Sequence, residues 1–255
     1  MKFTFTFIFI AIFCYNSQSQ TLTSTFDLVD PSLTWPWNWD IATDQNRIVT
    51  VNEKGTLNIK ENGSWENIEI DADNPDIEPR GVVIADDGTI WFTTLENGLW
   101  KYTTDNQFVN YNTSNSQLPL DELRSIDIYN ETLWLSTSGG QGLISYNINS
   151  GAVLLLNSAN SSDLKTDYNL DPHIDNSGSV FFSNRECLSI IDPMLNWENE
   201  DMRFYISGGR VQDIHFVSDT EVWIAMDGGL VLYDGANYEV VLENQFVNYL
   251  QVFKD

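Results

Sequence analysis

The stretch Asp86-Asp87-Gly88-Thr89-Ile90-Trp91-Phe92-Thr93-Thr94, followed by Asn97-Gly98-Leu99-Trp100-Lys101-Tyr102, decides how this chain folds. A polar Asp/Gly turn leads into a short apolar-aromatic strand, a second glycine turn and a second alternating strand, which is the signature of a β-hairpin. Working outward, the same strand returns as Ile48-Val49-Thr50-Val51, Leu133-Trp134-Leu135-Ser136, Val180-Phe181-Phe182-Ser183 and Val222-Trp223-Ile224-Ala225. Their central residues stand at 49, 91, 134, 181 and 223, so the spacings are 42, 43, 47 and 42 residues. Each copy continues through a polar loop, a strand such as Leu230-Val231-Leu232-Tyr233, an Asn/Asp turn and one further strand. No window carries a sustained helical stripe.

A unit of about 42 residues with four short antiparallel strands predicts one blade of a β-propeller. A lone four-stranded sheet leaves two apolar faces bare, and radial packing of successive blades buries both. The central Trp or Phe of each second strand is then the filler between blades. The expected fold is all-β: five full blades, at about 37–78, 79–122, 123–167, 168–209 and 210–246, plus one extra strand within 247–255. That strand is expected because Val247-Asn248-Tyr249-Leu250-Gln251-Val252-Phe253 repeats the pattern of Leu123-Arg124-Ser125-Ile126-Asp127-Ile128-Tyr129. Five blades and one strand predict an incomplete ring.

The run from Asp86 with its Ile90-Trp91, and the later Gly98-Leu99-Trp100-Lys101-Tyr102, resembles the two-component-regulator propeller repeat, in which an Asp-x-x-Gly-x-Ile-Trp segment precedes a Gly-Leu-x-x-Tyr strand. Leu118-Pro119 is similar to that family's inter-blade segment. The likeness covers about residues 37–255 and is best in the second, third and fifth units. It implies a secreted or periplasmic sensing module. A second resemblance is to the streptogramin lyase propeller, where a Glu typically follows the Thr of the second strand; Thr94 and Thr137 stand there instead. Blades alone do not specify a ligand.

Composition narrows the partners. Among 255 residues, 37 acids oppose 12 bases, a formal charge of −25. Such a surface repels nucleic-acid phosphates and anionic lipid. Lys2, the apolar run 3–13 and Ser17 and Ser19 at the positions before Gln20 describe a cleaved secretory leader over 1–19. The run is too short to span a bilayer. Residues 20–36 form an N-terminal segment before the repeats, and the product is expected to be secreted or periplasmic, with no membrane insertion. Removing the leader takes Cys14 with it and leaves Cys187, which excludes a disulfide scaffold and a four-cysteine metal centre.

No phosphate loop, nucleophile elbow, zinc-protease motif or dinucleotide fingerprint occurs, so no catalytic residue is assigned. The two histidines, His173 and His215, stand on different units and could converge on an axis. No cofactor is expected. The one calcium candidate, Asp71-Ala72-Asp73-Asn74-Pro75-Asp76-Ile77-Glu78, lacks the sixth-position glycine of a calcium loop. Recognition residues are expected in two places. Trp35-Pro36-Trp37-Asn38-Trp39 offers flat rings to a sugar, with Trp35 and Trp37 the candidates. Arg80, Arg124 and Arg210 precede an inner-strand isoleucine by four residues each, and Arg185 lies in a loop expected on the same face. Planar guanidinium groups there suit an acidic sugar or an acidic peptide. The functional expectation is a non-enzymatic module binding an extracellular glycan or protein. The alternatives are a propeller lyase and a remnant of a longer sensor.

Overall fold

The computed structural model describes residues 38–74, 76–168, 171–184, 187–207, 210–218, 221–247 and 250. The leader, Trp35, Trp37 and Arg185 lie outside the described residues. Five antiparallel four-stranded sheets follow in chain order, each a meander with its first strand innermost. The first holds β1 (Asn38–Thr43), β2 (Arg47–Asn52), β3 (Thr56–Glu61) and β4 (Ser64–Glu69). The second holds β5 (Pro79–Ile84), β6 (Ile90–Thr94), β7 (Leu99–Tyr102) and β8 (Phe108–Tyr111). In the third are β9 (Leu123–Tyr129), β10 (Thr132–Thr137), β11 (Leu143–Asn147) and β12 (Val153–Leu156). The fourth has β13 (Pro172–Ile174), β14 (Val180–Asn184), β15 (Cys187–Ile191) and β16 (Trp197–Asp201), and a 3₁₀ turn, Met202–Phe204, follows it. The fifth has β17 (Val211–Ser218), β18 (Glu221–Met226), β19 (Gly229–Tyr233) and β20 (Tyr238–Glu243).

The sheets pack face to face in sequence order, β1 on β5, β5 on β9, β9 on β13 and β14 on β17. One apolar layer fills each gap. Val49 and Val51 meet Val82 and Phe92 in the first, and Trp91 meets Leu123, Leu133 and Tyr146 in the second. Trp134 meets Val180 and Phe182 in the third, and Phe181 meets Val222 and Ile224 in the fourth. The central residue of each of the first four second strands thus points at the next blade. No closed ring forms among the described residues.

Past the fifth sheet, Val247 and Leu250 are buried against Ala225 and Leu230, with Trp223 beside them. Trp91 and Trp134 are 2% and 7% exposed, as the repeat requires. Trp223, expected to match them, is only half-buried, because among the described residues a few side chains rather than a sheet cover its face.

Turn chemistry holds the blades' spacing. Thr94 Oγ1 donates to the Gly98 carbonyl and Thr137 Oγ1 to the Gly142 carbonyl, closing the second-to-third-strand loops. Gly98 has φ +73°, and a Cβ there would sit 2.3 Å from the Tyr111 carbonyl oxygen. Between blades, Asn112 and Asn157 open matching turns whose next residue, Thr113 or Ser158, is gripped by Asp121 or Asp167. Leu118 and Leu164 follow as buried plugs. Ile77 fills the same place before the second blade, so residues 71–78 form an inter-blade turn in which Asp71 Oδ1 accepts the Asp73 N–H.

Candidate functional site

One irregularity positions the side chains of interest. In four of the five sheets the inner strand carries a β-bulge near its start. Trp39-Asp40 face Val51, Arg80-Gly81 face Thr93, Arg124-Ser125 face Ser136, and Gln212-Asp213 face Ala225. A bulge removes one residue from the ladder and re-aims its side chain. The N–H groups of Gly81 and Ser125, which lose their ladder partners, donate instead to Thr93 Oγ1 at 2.9 Å and Ser136 Oγ at 3.0 Å. Trp39, Arg80, Arg124 and Gln212 are therefore equivalent positions at one end of the inner strands.

This register corrects the sequence alignment. Val211 pairs with Met226 as Leu123 pairs with Thr137, so Arg210 is the counterpart of Glu78 and Glu122 rather than of Arg80 and Arg124. Isoleucine spacing misled because Ile214 matches Val82 and Ile126, one step earlier on the same face than Ile84 and Ile128. Arg210 still stands at the same end and is exposed.

At that end Trp39 is 45% exposed, and the Arg80 guanidinium lies over its ring, 4.0 Å from the centroid. Arg80 Nη2 also contacts Glu78 Oε2 at 2.7 Å. Arg124, half-exposed, stands 3.7 Å from Asp171 on the next blade, whose Oδ1 accepts from Ser125 Oγ and Ser136 Oγ. Gln212 Nε2 donates to Asp227. The rim thus has an aromatic platform with one cation on it and a second, Arg124, two blades away.

Below the rim the inner strands carry a line of carboxylates that the sequence reading missed. Asp40 accepts the N–H of Ile41 at 2.8 Å and that of Val82, on the next blade, at 2.9 Å. Asp127 does the same with Ile128 at 2.8 Å and Ile174 at 2.7 Å. Asp213 accepts from Ile214 at 2.9 Å and from Leu250 at 2.7 Å. A signal existed: the dipeptide Asp-Ile recurs as Asp40-Ile41, Asp127-Ile128 and Asp213-Ile214 on three of the five inner strands. Each carboxylate clasps one blade to the next.

These groups sense one another across the axis. Burial pushes the Asp40 carboxyl up to about 6, against the pull of its two N–H donors, with the Asp127 charge adding to the rise and His173 opposing it. Burial likewise raises Asp127 and Asp213, and His173 opposes both shifts. His173 Nε2 lies 3.6 Å from Asp213 Oδ1, and His215, two residues along β17, also bears on Asp213. The N–H donors occupy much of the carboxylates' lone-pair capacity, and no cluster of three His, Cys, Asp or Glu able to hold a metal occurs among the described residues. Thr94 and Thr137, at the positions where the lyase family typically has Glu, are turned into their own hairpins.

No family model matches the chain, and no curated protein does. Solved structures do. The extracellular domain of a protein assigned to a hybrid two-component system of B. thetaiotaomicron aligns at TM-score 0.65 and 15% identity, over 88% of this chain and 31% of that one. Virginiamycin B lyase of Staphylococcus aureus aligns at TM-score 0.64 and 13% identity, over 80% of this chain and 69% of that one. YCF48 bound to D1 peptide aligns at TM-score 0.60 and 17% identity, over 82% and 70%. The chain therefore spans about a third of the length of the sensor ectodomain. At such identities these likenesses show the propeller fold alone. No helix among the described residues is long and apolar enough to cross a membrane.

Proposed function

We infer that this chain is a secreted or periplasmic, non-enzymatic propeller module that binds an acidic extracellular ligand on the rim of its inner strands, an acidic glycan before an acidic peptide. The observation that carries this is Trp39, whose exposed ring holds the Arg80 guanidinium at 4.0 Å. A sugar can stack on the free part of an aromatic face while the adjoining guanidinium pairs with a carboxylate. Arg124 and Arg210 add two more guanidinium groups at the same end, Arg124 beside Asp171 at 3.7 Å and Arg210 exposed, on a chain of charge −25. The extracellular compartment rests on the leader over 1–19 and is checked by N-terminal sequencing of the exported protein, expected to begin at Gln20. The binding reading is tested by titrating oligouronates, their neutral counterparts and acidic peptides. Trp39→Ala and Arg80→Ala should each weaken oligouronate binding about tenfold, the loss of roughly 1.4 kcal/mol. Binding that ignores both substitutions overturns the assignment.

One observation favours a second reading, a lyase-type enzyme: His173 sits beside Asp213 within the axial carboxylate line, placing an acid–base group where inner strands converge. That reading requires metal-dependent turnover that falls in His173→Ala or His215→Ala.

A further inference from the structure

The connection between the fourth and fifth blades departs from the repeat. Where the second and third gaps are closed by Asn-opened turns with Leu118 or Leu164 as plugs, this one is closed by the 3₁₀ turn Met202–Phe204, with Met202 and Ile206 buried. The change brings a new ring to the surface. Tyr233 and Tyr238 pair across the hairpin of β19 and β20 with centroids 4.6 Å apart. That pair belongs to the fold, since Tyr102 and Phe108 make the same contact at 4.7 Å in the second blade. Tyr205 belongs to no repeat. It packs against Tyr238 in a tilted pair with centroids 4.8 Å apart, and its hydroxyl donates to Glu200 Oε1 at 2.8 Å.

These three rings and the carboxylates of Glu198 and Glu200, both on β16, wall a cavity of about 330 Å³. Among the described residues no lysine, arginine or histidine lines it. Arg203, the cation closest in sequence, is held by Asp201 through Nε at 2.9 Å and Nη2 at 2.6 Å. Burial pushes the Tyr205 phenol up to about 12, with Glu200 reinforcing the shift, and raises Tyr238 further still. The phenols therefore stay neutral in the physiological range.

Aromatic faces attract cations through the ring quadrupole, and the pull strengthens where water is partly excluded. Neighbouring carboxylates add a longer-range field of the same sign. An acidic cleft lined by three tyrosines is matched by a cation with an apolar skin, not by a small hydrated metal ion that needs several oxygen ligands. We propose that the cleft walled by Glu198, Glu200, Tyr205, Tyr233 and Tyr238 binds an alkylammonium group, carried by a small quaternary amine or by a lysine side chain of a partner protein. This site lies outside the inner-strand rim and does not depend on the rim's ligand.

The test uses saturation-transfer NMR on the full chain with tetramethylammonium, with a lysine-containing peptide, and with 3,3-dimethylbutanol as the uncharged probe. Saturable binding of tetramethylammonium alone assigns the small amine; at least tenfold tighter binding of the peptide assigns the protein partner. Glu198→Gln/Glu200→Gln should weaken either by about tenfold or more. Glu198→Gln alone, a change at an exposed position, serves if the double variant misfolds, and should weaken binding about threefold. Absence of saturable binding by both cations, equal binding of the uncharged probe, or indifference to the glutamate changes overturns the proposal.

Discussion

The gap between the second and third blades and the outer face of the fifth each present a tryptophan at the centre of a second strand, in the same register, yet they differ in what covers it. Trp91, 2% exposed, stacks on Tyr111 at 5.7 Å and packs against Leu123, Leu133 and Tyr146 from the neighbouring sheet. Trp223 holds the equivalent place but, among the described residues, meets only Val247, Leu250 and its own blade, and its Nε1 reaches sideways to Glu221 Oε1 at 3.2 Å. The same strand position is core in one place and half a surface in the other. Burial here is a property of the neighbour, not of the residue.

The largest expected effect tests that statement directly. Trp91→Ala should cost about 3–5 kcal/mol in denaturant unfolding, because it leaves a cavity inside a closed layer. Trp223→Ala should cost only about 1–2 kcal/mol, since part of that ring already meets water. Equal losses at the two sites would erase the distinction between the closed and open gaps.

A smaller effect comes from the carboxylate clasps. Asp40 titrates at about 6 in the folded protein against an ordinary carboxyl value of 3.8, so between those values the native state binds the extra proton. Stability therefore rises as pH falls from about 7 toward 4 and is reduced above the folded value, by on the order of 3 kcal/mol. Asp40→Asn should flatten this profile in unfolding experiments run across that pH range. Asp213→Asn, at the open end, should flatten it less; the reverse order would show that the clasp at Leu250 is as tightly enclosed as the one at Val82.

The smallest effect is kinetic. The Val82 and Ile174 amides, held by Asp40 and Asp127 inside closed gaps, should exchange with deuterium at least tenfold more slowly than the Leu250 amide, held by Asp213. Matched rates would mean that the segment after the fifth blade is as firmly docked as a whole sheet.

Much of this was legible in the sequence because period-two alternation and aromatic spacing report directly on strands and inter-blade layers. The five second strands lie where the repeat puts them. One contact past the fifth blade does match an inner strand: Leu250 donates to Asp213 as Val82 donates to Asp40. What stayed hidden depends on single-residue shifts and on neighbours. The bulge changes spacing by one residue without altering composition, so Arg210 aligned with Arg80 and Arg124 although Gln212 holds that place. Trp223 read as core because nothing in its own strand records what covers it. Tyr205 gave no signal because it stands in a connection outside the repeat and finds Tyr238 and Glu200 only through folding.

The bulge has a consequence for how such a protein changes over generations. At Trp39, Arg80, Arg124 and Gln212 the ladder tolerates an aromatic, two cations and an amide in one structural position. A side chain released from the ladder can mutate while the layers beneath it stay intact. Rim chemistry can then drift toward new ligands one blade at a time, with the scaffold shielded from each trial.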